Sequence, residues 1–412
     1  MEYGCIGEHL SHSFSKEIHA RLASYSYELC EIPREGLDAF MRRRDFRAIN
    51  VTIPYKEAVI PYLDEISPEA RAIGAVNAIV HRDGRLYGYN TDFYGIVAAL
   101  GRMGFEDLAG KTVLVLGTGG TSKTARAVAH HLGASVYRVS RTAREDAISY
   151  EDAVRLHSDA SLIINTTPVG MYPSVEGVPI ELSRFSCLEG VFDAVYNPLR
   201  TRLILEARAL GIPAEGGLYM LVAQAFRAVE IFLDATLDPA LLETTYQSVL
   251  KEKESIVLIG MPASGKSTLG ERIARHLLRP FLDADAVLSE REGRKIPDIF
   301  KAEGEAFFRD RESETLASLA LQNGIVLATG GGAILREENV RRLRQNGRLV
   351  FLDRSPEQLI PTADRPTASD REAMLARYRE RYALYLQASD VRIPADGSAD
   401  EVFDIIRKEL TL

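Results

Sequence analysis

Short apolar runs alternate with longer amphipathic stretches along the whole chain, and this alternation of strand and helix signals predicts an α/β protein. Tyr27–Ile32 and Ala48–Ile53 read as strands, with helices at Glu17–Tyr25 and Gly36–Arg43. Residues 111–116 open a second βαβ system, in which a strand leads through a glycine turn into a helix at Thr124–Leu132. In that helix Ala125, Val128, Ala129 and Leu132 recur at i, i+3, i+4 and i+7, which makes one buried face. Strands follow at Ser135–Val139 and Leu162–Asn165. Leu237–Glu254 is polar and free of glycine, with Leu241, Leu242, Tyr246, Val249 and Leu250 at roughly helical spacing. It predicts a closing helix that runs into a short linker, with a boundary near residue 254. A further apolar run, Ile256–Ile259, leads through a second glycine-rich loop into a helix with Leu269, Ile273 and Leu277 on one face.

At 412 residues the chain exceeds one ordinary domain, and a hydrophobic content of 46% with 26% charged residues is enough for more than one core. A net charge of −8 argues against bulk electrostatic binding of nucleic acid. Cys5, Cys30 and Cys187 are scattered, with no CxxC pair and no Cys/His ligand spacing, so neither a disulfide framework nor a zinc site is expected. His12, His19, His157 and the pair His130-His131 read as surface or packing residues. The apolar runs fall well short of the roughly 18 residues a membrane span needs. The N-terminus also lacks a basic stretch followed by an apolar one, so a cytoplasmic protein is expected.

The two glycine loops differ in kind. Gly117-Thr118-Gly119-Gly120-Thr121-Ser122 follows the apolar run Val113–Leu116. A first glycine makes the tight turn, and a second lets the backbone approach a pyrophosphate at a helix N-terminus. This suits a dinucleotide, although the third position of the usual spacing is Ser122 rather than glycine. At the end of the next strand stands Ser140-Arg141-Thr142, with Arg144 close by. A guanidinium and a hydroxyl there suit a 2′-phosphate, whereas an acid would suit a free 2′-hydroxyl, so NADP(H) is favoured over NAD. The second loop, Gly260-Met261-Pro262-Ala263-Ser264-Gly265-Lys266-Ser267, fits the P-loop pattern and continues into Thr268. Backbone N–H groups cradle phosphates in such a loop, Lys266 reaches the β- and γ-phosphates of ATP, and Ser267 ligates Mg²⁺.

Candidate chemistry lies upstream of the first loop. Asn50-Val51-Thr52-Ile53-Pro54-Tyr55-Lys56 ends a strand, and Asn90-Thr91-Asp92 precedes a helix. Reduction of a ketone by hydride needs a proton for the developing alkoxide, and a lysine beside an aspartate supplies one. Spacing alone does not show that Lys56 and Asp92 touch; a solvated surface lysine is the competing reading. In the second half, Asp283 and Asp285 stand at i, i+2 at a predicted strand end, where alternation points both into one cleft. A solvated turn is again the competing reading. Arg309, the run Thr329-Gly330-Gly331-Gly332, Arg365 and Arg381 complete the candidates.

With those residues in view, the first half resembles the shikimate dehydrogenases. The resemblance rests on His12-Ser13-Phe14-Ser15, Asn50–Lys56, Gly74-Ala75-Val76-Asn77 and Gly88–Asp92, followed in order by Asn165–Met171, Tyr196-Asn197-Pro198 and Gly217–Gln224. It covers about residues 3–233. It implies that Ser13 and Ser15 bind the substrate carboxylate, with Tyr196 lining that end. Thr52, Asn77, Asp92 and Gln224 would hold ring hydroxyls. Lys56 and Asp92 would be the acid/base pair. Gly117, Gly119, Gly120, Thr121, Arg141 and Thr142 would face NADP(H), with Gly217 and Met220 near the nicotinamide and Asn165 and Thr167 on the cofactor side. Lys16 stands where the family usually has proline, and Phe93 where it often has glycine, so the choice between shikimate and quinate stays open.

Residues 255–395 resemble shikimate kinase. That likeness implies that Asp285, Arg309, Gly331, Gly332 and Arg381 hold shikimate, the arginines taking its carboxylate. Gly260, Ala263, Ser264, Gly265, Lys266, Ser267 and Thr268 would bind ATP, with Ser267 and Asp283 serving Mg²⁺. Asp285 would align the attacking hydroxyl, and Arg365 would close over the phosphates from a short lid. The expected architecture is a discontinuous α/β substrate domain at 1–100 and 219–250, a Rossmann-like domain at 101–218, and a P-loop domain resembling nucleoside monophosphate kinases at 254–412. The expected reactions are NADPH-dependent reduction of 3-dehydroshikimate and ATP/Mg²⁺-dependent phosphorylation of shikimate. Small molecules are the expected partners, with neither nucleic acid nor membrane, and the oligomeric state is left open. The alternatives are a quinate-oxidising first half, or one half serving as a non-catalytic ligand sensor.

Overall fold

A computed structural model describes residues 1–10, 13–143, 146–359 and 371–412. The chain divides into two units, Met1–Leu250 and Lys251–Leu412. Among the described residues it forms three six- or five-stranded sheets.

The first sheet contains β1 (Tyr3–Gly7), β2 (Tyr27–Glu31), β3 (Ala48–Val51), β4 (Glu65–Ile66), β5 (Ala78–Arg82) and β6 (Arg85–Tyr89), in the order β2-β1-β3-β5-β6-β4. β1 pairs in parallel with β2 and β3, while β5 runs antiparallel to both β3 and β6. Alternate residues feed two cores, so the central strands are apolar on both faces. Ile6, Ile49, Val51 and Ile79 pack on one side with Met41 and Leu86. Tyr3, Cys5, Ala48 and Ala78 pack on the other beneath Ala228 and Phe232 of the helix Gly217–Leu233. That helix also carries Met220 into the core of the second sheet. It crosses the helix Asp92–Arg102 at Gly95, where an added Cβ would lie 2.8 Å from the Met220 carbonyl oxygen.

The second sheet is wholly parallel, with β7 (Thr112–Leu116), β8 (Ser135–Ser140), β9 (Ile148–Ser149), β10 (Leu162–Asn165), β11 (Gly190–Asp193) and β12 (Ala214–Glu215) in the order β12-β11-β10-β7-β8-β9. The chain winds outward from β7 to β9 and then returns to β10 on the other side of β7. A crevice therefore opens beyond the carboxyl ends of β7 and β10, the usual place for a ligand in such a sheet. The second unit has its own parallel sheet of β13 (Ser255–Ile259), β14 (Phe281–Asp283), β15 (Val326–Ala328), β16 (Gly347–Asp353) and β17 (Val391–Pro394), in the order β14-β15-β13-β16-β17. Val257 and Ile259 of its central strand face one core, and Ile256 and Leu258 face the other.

Several boundaries differ from the sequence reading. The helix expected at Thr124–Leu132 starts at Gly120, because the glycine turn itself supplies its first residues, and it ends at His131. The helix expected at Glu17–Tyr25 spans Ser15–Leu22; Ala23 turns extended, and Tyr25 instead stacks on Tyr3 with ring centroids 4.1 Å apart. The strand expected to reach Ile53 stops at Val51, the last residue paired with β1. Asp283 and Asp285 do not share a strand: Asp283 caps the helix Ala284–Glu292, and Asp285 lies in its first turn.

Candidate active sites

In the first unit the candidates from four sequence segments converge. β3 and its following turn bring Lys56, and the N-terminus of the helix Asp92–Arg102 brings Asp92. Lys56 Nζ donates to Asp92 Oδ2 at 2.6 Å, with side chains only 13% and 6% exposed. A solvated surface lysine is thereby excluded. Asn77 Nδ2 donates to the other aspartate oxygen at 2.9 Å and lies 3.5 Å from Gln224 Oε1. Thr91 ties this group together, donating from its hydroxyl to Gln224 Oε1 at 3.2 Å and from its backbone to Asn77 Oδ1 at 2.6 Å. Lys56, Asn77, Asp92 and Gln224 thus form one polar floor, while Thr52 stands at the rim of the same turn, its backbone N–H bonded to Ile6 O.

Ser13 and Ser15 share a hydroxyl–hydroxyl bond of 3.1 Å at the entry to the helix Ser15–Leu22. Tyr196 stands beside Phe14, with ring centroids 5.2 Å apart. Burial raises the Tyr196 phenol to about 12, and the Ser13 hydroxyl pulls it the other way. His12 lies outside the described residues.

The glycine turn borders this floor. Lys56 Nζ is 3.5 Å from Thr121 Oγ1, and a Cβ on Gly120 would be 3.5 Å from Lys56 Cβ. Gly117 has φ 112°, and any Cβ there would meet Thr166 Oγ1 at 2.8 Å, so the turn requires glycine. Ser122, at the third fingerprint position, donates to Gly117 O at 2.6 Å and closes the turn with a side chain. Across the crevice Asn165 is fully buried: its amide donates to Asp193 Oδ1 at 2.9 Å, and its oxygen accepts from Thr167 Oγ1 at 2.7 Å. Asn165 thus sets the shape of the crevice wall. Gly217 lets its helix start against Ala194, whose carbonyl oxygen would be 2.2 Å from an added Cβ. Arg141 and Thr142 are exposed at the strand end, and Arg144 lies outside the described residues.

In the second unit the P-loop leaves β13 with Ala263 at φ 65° and Gly265 at φ 91°, and Gly265 caps the helix Lys266–Leu277. This winding turns successive N–H groups inward and makes an anion cradle. Lys266 is buried and donates from Nζ to Gly260 O at 2.9 Å and Met261 O at 2.8 Å. Ser267 Oγ donates to Asp283 Oδ2 at 2.6 Å, which joins the two groups expected to serve Mg²⁺. Ser264 is buried within the loop, and Thr268 follows in the helix.

The acceptor side is built around Gly330-Gly331-Gly332. A Cβ on Gly330 would fall 2.6 Å from Glu312 Oε1 and 2.8 Å from Asp285 Oδ1, so both acids face this glycine run. Arg309 Nη1 pairs with Glu312 at 2.7 Å, with side chains 11% and 3% exposed. Burial raises the Glu312 carboxyl, Arg309 lowers it, and nearby Asp285 raises it. Arg381, also buried, donates to Gly331 O at 3.1 Å, next to Tyr385 OH at 2.5 Å. Among the described residues, the buried Nε atoms of Arg309 and Arg381 have no partner, which leaves two guanidinium groups with a spare N–H to offer an anion. Arg365 lies outside the described residues.

Sequence reading named Thr91 only within Asn90-Thr91-Asp92, without a role, and missed Glu312 and Tyr385. Glu312 was accessible as the i+3 partner of Arg309 on one helix. Thr91 and Tyr385 gave no separate signal.

Comparison with known proteins finds relatives for both units. A family model for the shikimate dehydrogenase substrate binding domain matches residues 5–79, and one for shikimate kinase matches residues 262–411. The chain is 36% identical over 262 residues to the shikimate dehydrogenase (NADP(+)) of Clostridium beijerinckii, covering 59% of this chain and 96% of that protein. The crystal structure of shikimate dehydrogenase 1 from Peptoclostridium difficile is 37% identical with a TM-score of 0.56, covering 60% of this chain and 98% of the other. The Thermus thermophilus enzyme, solved in complex with NADP(H) and shikimate, is 33% identical with a TM-score of 0.54, covering 60% and 99%. Together with the Lys56–Asp92 floor and the P-loop facing a glycine-lined arginine pair, these matches mean that the chain belongs to the shikimate dehydrogenase family and carries a shikimate kinase domain at its C-terminal end, a bifunctional enzyme of the shikimate pathway.

Proposed function

We propose that the first unit reduces 3-dehydroshikimate to shikimate with NADPH, and that the second phosphorylates shikimate with ATP and Mg²⁺. NADPH supplies the hydride, and ATP with Mg²⁺ supplies the phosphoryl group. The observation that carries the reduction is the Lys56–Asp92 contact of 2.6 Å beside Thr121 of the glycine turn. Lys56 delivers a proton to the oxygen that becomes an alkoxide, and Asp92 holds the ammonium in place and accepts from a neighbouring ring hydroxyl. A positioned acid of this kind contributes roughly 10²–10⁴-fold. Asn77, Gln224 and Thr52 orient the ring. Ser13 and Ser15 take the carboxylate through their hydroxyls, and Tyr196 walls that end. Gly117, Gly119, Gly120 and Thr121 receive the pyrophosphate, and Arg141 and Thr142 the 2′-phosphate. Gly217 and Met220 border the nicotinamide. The corresponding division is a substrate domain at 1–100 and 219–250 and a cofactor domain at 101–218.

In the second unit, whose kinase domain is placed at 254–412, positioning and charge neutralisation do most of the work. Gly260, Ala263, Ser264, Gly265 and Thr268 cradle phosphates, and Lys266 gives up its loop carbonyls to reach them. Ser267 and Asp283 would hold Mg²⁺. Arg309 and Arg381 clamp the carboxylate against Gly331 and Gly332, and Asp285 aligns the attacking hydroxyl. Arg365 is assigned to the phosphates on its motif alone.

Among the described residues no helix is long and apolar enough to cross a membrane, and we place the enzyme in the cytoplasm with small molecules as its partners. A single assay tests the reading: 3-dehydroshikimate, NADPH and ATP-Mg²⁺ are mixed with the full chain while NADPH loss and shikimate 3-phosphate are followed. NADPH oxidation without ATP, followed by phosphate ester formation on adding it, is expected. A folded protein that performs neither step overturns the proposal, and turnover of quinate in preference to shikimate would shift the first unit to the alternative substrate.

A further inference from the structure

Arg138 is out of place for a strand in a wholly parallel sheet. It lies on β8 opposite Val115, and its side chain is only 8% exposed. Nη2 donates to Thr118 O, inside the glycine turn, at 3.1 Å. Nη1 pairs with Asp146, whose side chain is 55% exposed. The buried Nε has no partner among the described residues. Two positions further along the same strand begins Ser140-Arg141-Thr142.

A guanidinium stays charged at every accessible pH, and hiding one from water is unfavourable unless its donors are used. A buried guanidinium with an unused N–H has a place for one more acceptor. This one keeps a spare N–H, and among the described residues its counterion is a half-exposed carboxylate on the loop after Thr142. It sits where the glycine turn and the strand end meet, the two elements assigned above to the cofactor phosphates.

Resting on the NADP(H) reading of this turn, we propose that Arg138 is a second arginine for the 2′-phosphate, and that Asp146 is the carboxylate this phosphate displaces. The phosphate dianion takes over the Nη1 donor and gains the free Nε, while Asp146 swings into water. Phosphate with two charges outcompetes one carboxylate for the same fork. Arg138 thereby favours NADPH over NADH from below the turn, and Arg141 does so from its surface.

The test is equilibrium binding of adenosine 2′,5′-bisphosphate and of 5′-AMP to the full chain, by calorimetry. Arg138→Met should weaken the bisphosphate by about tenfold or more and leave 5′-AMP within about threefold. Asp146→Asn should tighten the bisphosphate and leave 5′-AMP unchanged. If Arg138→Met weakens both ligands equally, Arg138 only supports the turn and the proposal falls. It also falls if neither ligand moves. Asp146→Asn, on an exposed loop, keeps the question decidable should Arg138→Met not fold: no gain for the bisphosphate refutes the displacement. If the wild type itself does not distinguish the two ligands, the NADP(H) reading fails first, and that outcome is separate from the others.

Discussion

Substituting Gly332 by alanine isolates one contact of the kinase site. Gly332 has φ −106° and ψ −1°, which alanine adopts without strain, so only the added methyl matters. Its Cβ would lie 2.0 Å from Arg309 Nη1, 2.4 Å from Cζ and 2.5 Å from Nη2. Carbon contacts relax near 3.5 Å, so the guanidinium must retreat by about 1.5 Å. It has little freedom to do so smoothly, because Glu312 holds it at 2.7 Å and Glu305 at 3.1 Å. Displacement by about 1 Å in a substrate clamp costs on the order of 10²-fold in rate, about 2.7 kcal/mol of transition-state stabilisation. Gly332→Ala is therefore expected to lower kcat/KM for shikimate phosphorylation about 10²-fold, mostly through KM, as the carboxylate loses its partner. ADP release measured against shikimate concentration reads this directly. NADPH oxidation by the same sample should be unchanged, which shows that the first unit is intact. A kinase kcat/KM within about threefold of wild type would refute the assignment of Arg309 to the carboxylate.

Lys266→Ala should abolish phosphorylation and leave NADPH oxidation intact, since the two loops sit on separate cores; equal loss of both activities in a folded variant would contradict that. Asp92→Asn should lower kcat of the reduction by roughly 10²–10⁴-fold with little change in phosphorylation. A loss under about tenfold would leave Lys56 without a role for its partner. His19 gives a pH prediction. Burial lowers it from 6.5 to about 3 in the folded chain, with Asn50 pulling modestly upward. The unfolded chain therefore takes up a proton first as pH falls, so stability is full above pH 6.5 and is lost on the way down towards 3. Between pH 7 and 5 this amounts to about 2 kcal/mol in unfolding of the first unit. Denaturant titrations should show that loss in the wild type and not in His19→Gln, and parallel loss in both would refute it.

Both loops were readable because their function needs glycine at fixed spacing between a strand and a helix, and that spacing is local. The strand at Leu162–Asn165 was readable for the same reason, as four apolar or amide residues wholly buried between neighbours. What sequence could not show was contact. Lys56 and Asp92 are 36 positions apart, and only the pairing of β3 with β5 and of β5 with β6 folds them together. The paired aspartates show the opposite failure. A period of two predicted a shared strand face, but Asp283 accepts from the backbone N–H groups of Asp285 and Ala286 at 3.0 and 3.3 Å, and this cap turns the chain helical between them. His19 read as a surface or packing residue, and the structure makes it a packing one. It lies flat on Tyr27, with centroids 3.8 Å apart, and bonds Tyr25 at 2.7 Å.

A Cβ on Gly331 would stand 2.7 Å from Cδ of Pro262, so the loop we assign to the ring acid leans directly on the loop we assign to the nucleotide. The two therefore cannot drift independently over evolutionary time. A bulkier residue at position 331 would demand a smaller or shifted one at 262. Anyone re-engineering the enzyme for a larger acceptor will have to redesign the nucleotide loop in the same step.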